Sequence, residues 1–342
     1  MTRLVFEKSA PLRETRRPRI GRWVVALVIL GVLVLLRIAT GSIEDFPVSE
    51  ATQDAITFSL GVFLESLPFV TLGILVSVIV QVWLPPWLVM RFLPKRGVFR
   101  RAALSVLGVF LPVCECGNVP LARGLIARGL TPADSITFLL AAPILNPITI
   151  LATWQVFGWD GGILVTRVLA GFVIANFAGL IFSRHPVQES LLTKKFAASC
   201  AHNHEKEPVG RVSESLAMFA REAAAIMPAL VAGSLIAGLI QVVLDRPTLL
   251  ALGSDPVLSV FTLMILAIVI SMCSNADAFF ILSLGSLFSP GSVIAFLVIG
   301  PMVDIKMIAL MKTTFTTTTV AQIVSFVVLS VAVLGLWVNF AS

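Results

Sequence analysis

Leu111-Pro112-Val113-Cys114-Glu115-Cys116-Gly117-Asn118-Val119-Pro120 lies between two long apolar runs. Two prolines remove backbone donors from a helix, and Gly117 permits a tight reversal. A carboxylate and two thiols in hydrocarbon are costly unless something uses them. The stretch therefore predicts a broken membrane helix, with arms too short to cross a bilayer that needs about twenty apolar residues. Irregular backbone at that depth is tolerated only where protein or a cavity covers it. The segment 255–289 has the same pattern of arm, polar interruption and short second arm.

The whole chain fits that setting. Its 342 residues are 57% hydrophobic and 13% charged, with a mean hydropathy of +0.98. A soluble domain carries about one quarter charged residues, so the sequence predicts a polytopic membrane protein. The net charge of +6 is loop bias and not nucleic-acid affinity, because the basic residues cluster beside apolar segments. Four cysteines, three of them in apolar sequence, make no disulfide framework. With no Tyr, Trp and Phe must supply any interfacial belt.

Spans are expected near 23–40, 53–84, 132–157, 161–183, 213–244, 290–312 and 315–339, with 98–130 and 255–289 as re-entrant or broken hairpins. Arg13, Arg16, Arg17, Arg19 and Arg22 precede the first apolar run, which reads as a retained helix; a cleaved signal peptide is the competing reading. Positive residues favour the cytoplasm. The N-terminal tail, the loop with Arg91, Lys95, Arg96, Arg100 and Arg101, and the segment 184–212 are basic, whereas Glu44, Asp45, Glu50 and Asp54 mark an external loop. The expected organisation is a cytoplasmic tail at 1–22, a first transmembrane helix at 23–40, a first repeat at 53–183, a cytoplasmic loop at 184–212 and a second repeat at 213–339. The expected location is the inner (plasma) membrane, with a cytoplasmic N-terminus.

Duplication shows in spaced identities. Pro68, Gly73 and Gln81 match Pro228, Gly233 and Gln241 at an offset of 160, and Pro132, Phe138 and Pro143 match Pro290, Phe296 and Pro301 at 158. Asn146 then falls opposite Asp304, Cys116 opposite Ser274 and Glu115 opposite Cys273. If each hairpin returns to the side it came from, the two copies are inverted; a hairpin that crosses once would make them parallel. The basic residues of 184–212 favour inversion. The fold class is thus an all-α polytopic membrane protein of two inverted repeats, each with a re-entrant or broken helical hairpin, plus an extra N-terminal helix. Paired broken elements of this kind place a transporter's substrate site at the midplane.

Four polar clusters are candidates for that site. In the first, Cys114 and Cys116 suit soft, thiophilic species such as trivalent arsenic, Cu(I) or Zn(II), with Glu115 beside them and Asn118 placed to cap the second arm; a Cys in a membrane helix also serves as a small apolar filler. In the second, Cys273 offers a third soft ligand, and Asn275 and Asp277 hydrogen-bond broken backbone or bind a cation; Asp277 equally suits a helix cap. In the third, Pro143 and Pro147 open the helix at Asn146, opposite Asp304 and Lys306. Each charge costs roughly 2.5–3.5 kcal/mol at a helix centre. Asp304 is a candidate coupling carboxylate, and the competing role is an ion pair with Lys306, although two residues apart on a regular helix they point away from each other. In the fourth, Glu65, three residues before Pro68, either carries protons or bonds the kink backbone. Arg123 and Arg128 are expected to snorkel to the cytoplasmic face; the competing role for Arg123 is to attract an anionic substrate. Cys200-Ala201-His202-Asn203-His204 is a weak soft-metal motif, and Thr313–Thr319 a connection. No phosphate-binding loop, hydrolase elbow or zinc-protease helix is present.

Pro112-x-Cys114-x-Cys116-Gly117-x-x-Pro120-Leu121, Phe138-Leu139-Leu140-Ala141-x-Pro143-x-x-Asn146-Pro147 and Gly300-Pro301-Met302-x-Asp304-x-Lys306 resemble the bacterial predicted-permease family that includes the ArsP-type organoarsenical efflux permeases. The resemblance runs from about residue 55 to the C-terminus. It implies a permease, not an enzyme, with Cys114 and Cys116 as ligands if trivalent organoarsenicals are its cargo. The expected function is a secondary transporter that exports a small thiophilic solute, with membrane lipid and a small-molecule or metalloid substrate as partners, room for a homo-oligomer, no nucleic acid and no cofactor. Substrate-binding candidates are Cys114, Glu115, Cys116, Asn118, Asn146, Cys273 and Asn275; coupling candidates are Asp304, Lys306, Asp277 and Glu65. A channel, a membrane thiol redox protein and a subunit of a larger complex are the rival readings.

Overall fold

The structure, a computed structural model, describes residues 50–84, 93–94, 96–110, 114–202, 211–243, 255–282 and 288–341. The expected tail and first helix, the residues Arg91, Lys95 and Leu111–Val113, and Asn203 and His204 lie outside the described residues.

Apolar solvent leaves backbone groups no partner but the chain itself, so the long hydrophobic runs close into helices. In chain order these are α1 (Glu50–Val78, continued by a π turn at Ile79–Trp83), α2 (Gly97–Phe110), α3 (Glu115–Ala127), α4 (Pro132–Ala141), α5 (Pro147–Phe157), α6 (Ile163–Ser183) and α7 (Lys194–His202). They are followed by α8 (Arg211–Val243), α9 (Leu258–Ile270), α10 (Asp277–Leu282), α11 (Pro290–Met302), α12 (Ile305–Met311) and α13 (Thr317–Ala341). Among the described residues, five spans are long and apolar enough to cross a membrane: Glu50–Trp83, Ile163–Ser183, Arg211–Val242, Pro290–Met311 and Thr317–Ala341. Of the most apolar stretch of Pro290–Met311, 83% is buried, against 28–44% for the other four, so this span is the centre and the others face outward. Leu60 and Leu64 on α1, and Leu169, Val173 and Phe177 on α6, are exposed. Apolar surface this extended marks a lipid-facing wall.

The two broken segments are as expected. Arms α2 and α3 have 14 and 13 residues, and α9 has 13. At about 1.5 Å per residue each reaches only about 20 Å, short of a hydrocarbon core of about 30 Å. The second break begins at Ser271, a non-glycine residue at φ 51°. The expected span 132–157 is itself divided: Pro143 and Pro147 open it, and Asn146 caps α5 by accepting from the Ile148 amide at 2.9 Å. The matching span divides at Asp304, which caps α12 by accepting from the Met307 amide at 2.5 Å.

The order of elements recurs. Broken pair, divided span and long helix follow α1 as α2 to α6, and follow α8 as α9 to α13. Their contacts recur too: α4 packs on α2 and α6 as α11 packs on α9 and α13, and α3 meets α12 as α10 meets α5. The correspondence breaks most strongly at α1 and α8. Helices α1 and α8 pack along each other, with α1 on α3 and α8 on α12; among the described residues no comparable contact joins α8 to α10 or α1 to α5. Glycine permits the close approaches: a Cβ at Gly73 would strike the Gly117 backbone on α3, and one at Gly238 would strike Ser59 between α8 and α1.

Candidate substrate site

The four breaks converge. Cys114 is the extended N-cap of α3 and Glu115 its first residue. The Cys114 thiol, a Glu115 carboxylate oxygen and the Cys273 thiol all lie within 4.8 Å of one another. Each broken segment thus contributes one thiol to the cluster, and all four cysteines are free. Cys116 also stands beside Cys114, but its own thiol turns to Ser66 on α1, with Sγ to Oγ at 3.6 Å. Of the Cys-x-Cys motif, only Cys114 belongs to the three-residue cluster with Glu115 and Cys273.

Charge is concentrated behind the thiols. Lys306 Nζ lies 3.8 Å from Glu115 Oε1 and 3.7 Å from Asp304 Oδ2. Lys306 and Glu115 are 1% exposed and Asp304 not at all, so these charges are met by protein groups and not by solvent. Asp304 and Lys306 do not point apart as a regular helix would require, because Asp304 sits outside the helix as its cap. Glu115 Oε2 accepts from the Ser274 hydroxyl at 3.2 Å and amide at 3.5 Å, which ties the first break to the second. Glu65, itself exposed, accepts from the Cys273 amide at 3.3 Å at the edge of the cluster. Two carboxylates thus share the Lys306 ammonium, with Glu65 at the edge of the cluster.

Asn275 accepts from Thr149 at 3.1 Å, linking the second break to α5 beside the cap Asn146. Asn118 does not cap the second arm: Cys114 holds the cap position, and Asn118 lies inside α3, fully buried, with neither amide atom hydrogen-bonded among the described residues. Such a group costs about 1–3 kcal/mol when left unmet. Asp277 begins α10 and is gripped by Arg167 from α6, with Nη1 to Oδ1 at 3.1 Å and Nη2 to Oδ2 at 2.5 Å. Arg167 also donates to Thr153 at 2.6 Å. The sequence reading missed Arg167. A single cation inside the apolar run 161–183 was the signal, since such residues pair or act.

Arg123 does not snorkel. It is 5% exposed, pairs with Glu222 on α8 at 2.7 Å and donates to the Thr313 carbonyl at 3.0 Å. Arg128 is half-buried and donates to the Val80 carbonyl at 3.1 Å. Cys200 is half-buried on α7, and burial pushes its thiol above the usual range, with Arg123 opposing and Glu222 adding to the rise.

The profile of the family described as "Predicted permease" matches residues 51–340. The chain belongs to the predicted-permease family. Among similar proteins is one from Streptococcus mutans, named as a subunit of a two-component membrane permease complex, 33% identical over 78% of this chain and 88% of its own length. UPF0718 protein YcgR of Bacillus subtilis is 32% identical over 80% of this chain and 92% of its own. UPF0718 protein YraQ of Escherichia coli is 27% identical over 36% of this chain and 35% of its own. No solved structure matches.

Proposed function

We propose that this permease is a secondary transporter of the inner membrane that exports a small thiophilic solute, such as a trivalent organoarsenical or a soft metal species. The observation that carries the reading is the convergence of Cys114, Glu115 and Cys273 from both broken segments within 4.8 Å. Soft ligands of this kind select thiophilic cargo. A trivalent arsenical bearing two hydroxyls would condense with the two thiols, forming two As–S bonds as two waters leave and with no change of oxidation state. Glu115 is placed to move the thiol proton to the leaving hydroxyl, and Lys306 holds that carboxylate in position. Asn146 and Asn275 line the site, and Asn118 offers an unspent amide to it. Asp304 is the coupling carboxylate, with Lys306 as its counter-charge and Glu65 as the outer carrier; the two-pronged grip of Arg167 gives Asp277 a structural task instead.

The strongest departure from the correspondence between halves, α1 on α3 and α8 on α12, supports alternating access. In an inverted repeat, exchanging the conformations of the two copies gives the second state. That exchange moves α1 from α3 to α5, and α8 from α12 to α10. Ile148, Leu151 and Trp154 on α5 are 44%, 52% and 44% exposed, whereas Lys306, the counterpart of Ile148, is 1% exposed. The uncovered face of α5 is the surface that α1 would take.

The test is growth of a metalloid-sensitive strain expressing the chain, challenged separately with trivalent organoarsenicals, antimonite, copper, mercury and tellurite. Protection against one class, lost in Cys114→Ser and Cys273→Ser and kept in Cys200→Ser, is the expected result; no protection against any of them overturns it. The name of the Streptococcus mutans relative favours a second reading, a subunit of a two-component complex, which native co-purification of a stoichiometric partner would support.

A further inference from the structure

A second polar constellation lies on α3 two turns from the thiols, about 10 Å along the axis from Cys116. Here α3, α7, α8 and the turn after α12 enclose a cavity of about 620 Å³. Lys195, Arg221 and Lys312, all exposed, stand around it, and the buried Arg123 stands at its floor. Glu222, also on the lining, is already committed to Arg123 at 2.7 Å. Three cations therefore lack an acidic partner within the lining. Arg123 is held in place from several sides: Nε by Glu222, Nη1 by Thr313 and Thr314, and the guanidinium plane by the Phe196 ring at 4.3 Å. Its Nη2 makes no hydrogen bond among the described residues. A fixed planar donor below and flexible ammonium groups around the mouth suit a tetrahedral anion, whose oxygens point in several directions at once.

We propose that this cavity is a binding site for an organic phosphate, separate from the thiol site and independent of what the thiols carry. The phosphate comes either from the headgroup of an anionic phospholipid or from a free phosphate compound, and the cavity takes both by the same contacts. Occupancy would reinforce the junction of α3 with α8 and the α12 turn, so a phosphate bound here bears on the element that holds Cys114.

The test uses the full chain in a neutral detergent, with phosphatidylglycerol, phosphatidylcholine and inorganic phosphate as separate probes. Binding is read by native mass spectrometry and by the dose dependence of thermal unfolding, since a ligand of the folded state raises its apparent stability. Saturable binding of phosphatidylglycerol in preference to phosphatidylcholine identifies a lipid headgroup; saturable binding of inorganic phosphate identifies a free phosphate. In either case Lys195→Gln, Arg221→Gln and Lys312→Gln weaken binding by about fivefold each, and Arg221→Lys restores it. These three side chains are exposed, so the variants are expected to fold; Arg123 is left in place because its loss strands Glu222. Absence of saturable binding of either anionic probe, or unchanged affinity in the three variants, overturns the proposal.

Discussion

Cys114 and Cys116 are separated by a single residue and reach different partners, which divides their roles. Cys114 shares its space with Cys273 and Glu115, whereas Cys116 faces the Ser66 hydroxyl. Replacing Cys114 or Cys273 with Ser is therefore expected to weaken binding of a trivalent arsenical by more than the roughly 10–100-fold that supporting contacts cost at a metal site. Cys116→Ser should cost less, and equilibrium binding to purified variants would rank the three. The Arg167–Asp277 pair allows a sharper stability test. Removing either charge leaves the other buried, at a cost of about 3–5 kcal/mol, and removing both recovers much of that. Chemical unfolding of Arg167→Gln, Asp277→Asn and the double variant is expected to show that coupling; additive losses would contradict it. Cys200 should label slowly with thiol reagents at neutral pH, because burial raises its thiol above the usual range and the thiolate is the reactive form. Its labelling rate should climb as pH rises, in mass-spectrometric time courses.

Breaks in the helices were legible because their causes are local. Proline, glycine and polar residues interrupt apolar runs in 111–120, 143–147 and 271–277, and arm lengths follow from counting residues. The caps formed by Asn146 and Asp304 were not read from the sequence, which offered the two residues as substrate-binding and coupling candidates. What faces what across the bundle was not legible. Arg167 and Asp277 lie 110 residues apart and Arg123 and Glu222 lie 99 apart, and no local pattern announces either pair. The expectation that Arg123 snorkels failed for that reason: its proximity to a helix end was visible, its acidic partner on α8 was not. The junction of α1 and α3 makes its own prediction. A Cβ at Gly73 meets the Gly117 backbone, so Gly73→Ala should destabilise by about 1–3 kcal/mol through overpacking, measured as a lower thermal midpoint. Ser66→Cys, whose side chain would face Cys116, should cross-link under mild oxidation and arrest transport with α1 held against α3; transport that survives full cross-linking would show that α1 need not move.

Across the molecule, the order of elements recurs with many matching neighbours, and its strongest mismatch is α1 on α3 and α8 on α12. The family match spans residues 51–340 and so covers both halves. Spaced prolines and glycines in the sequence led to an expected duplication, but the packing of α1 on α3 and of α8 on α12 exists only in three dimensions. A site built from one thiol of each half belongs to neither alone, and this is the central claim about how the permease works. It is tested most directly by uptake of a trivalent methylarsenical into everted proteoliposomes of the purified chain, comparing wild type with Cys114→Ser, Cys273→Ser and Cys200→Ser. Saturable uptake in wild type and Cys200→Ser, lost in both other variants, is the predicted result. Equal uptake when Cys114 and Cys273 are both replaced would contradict a thiol site shared by the two halves.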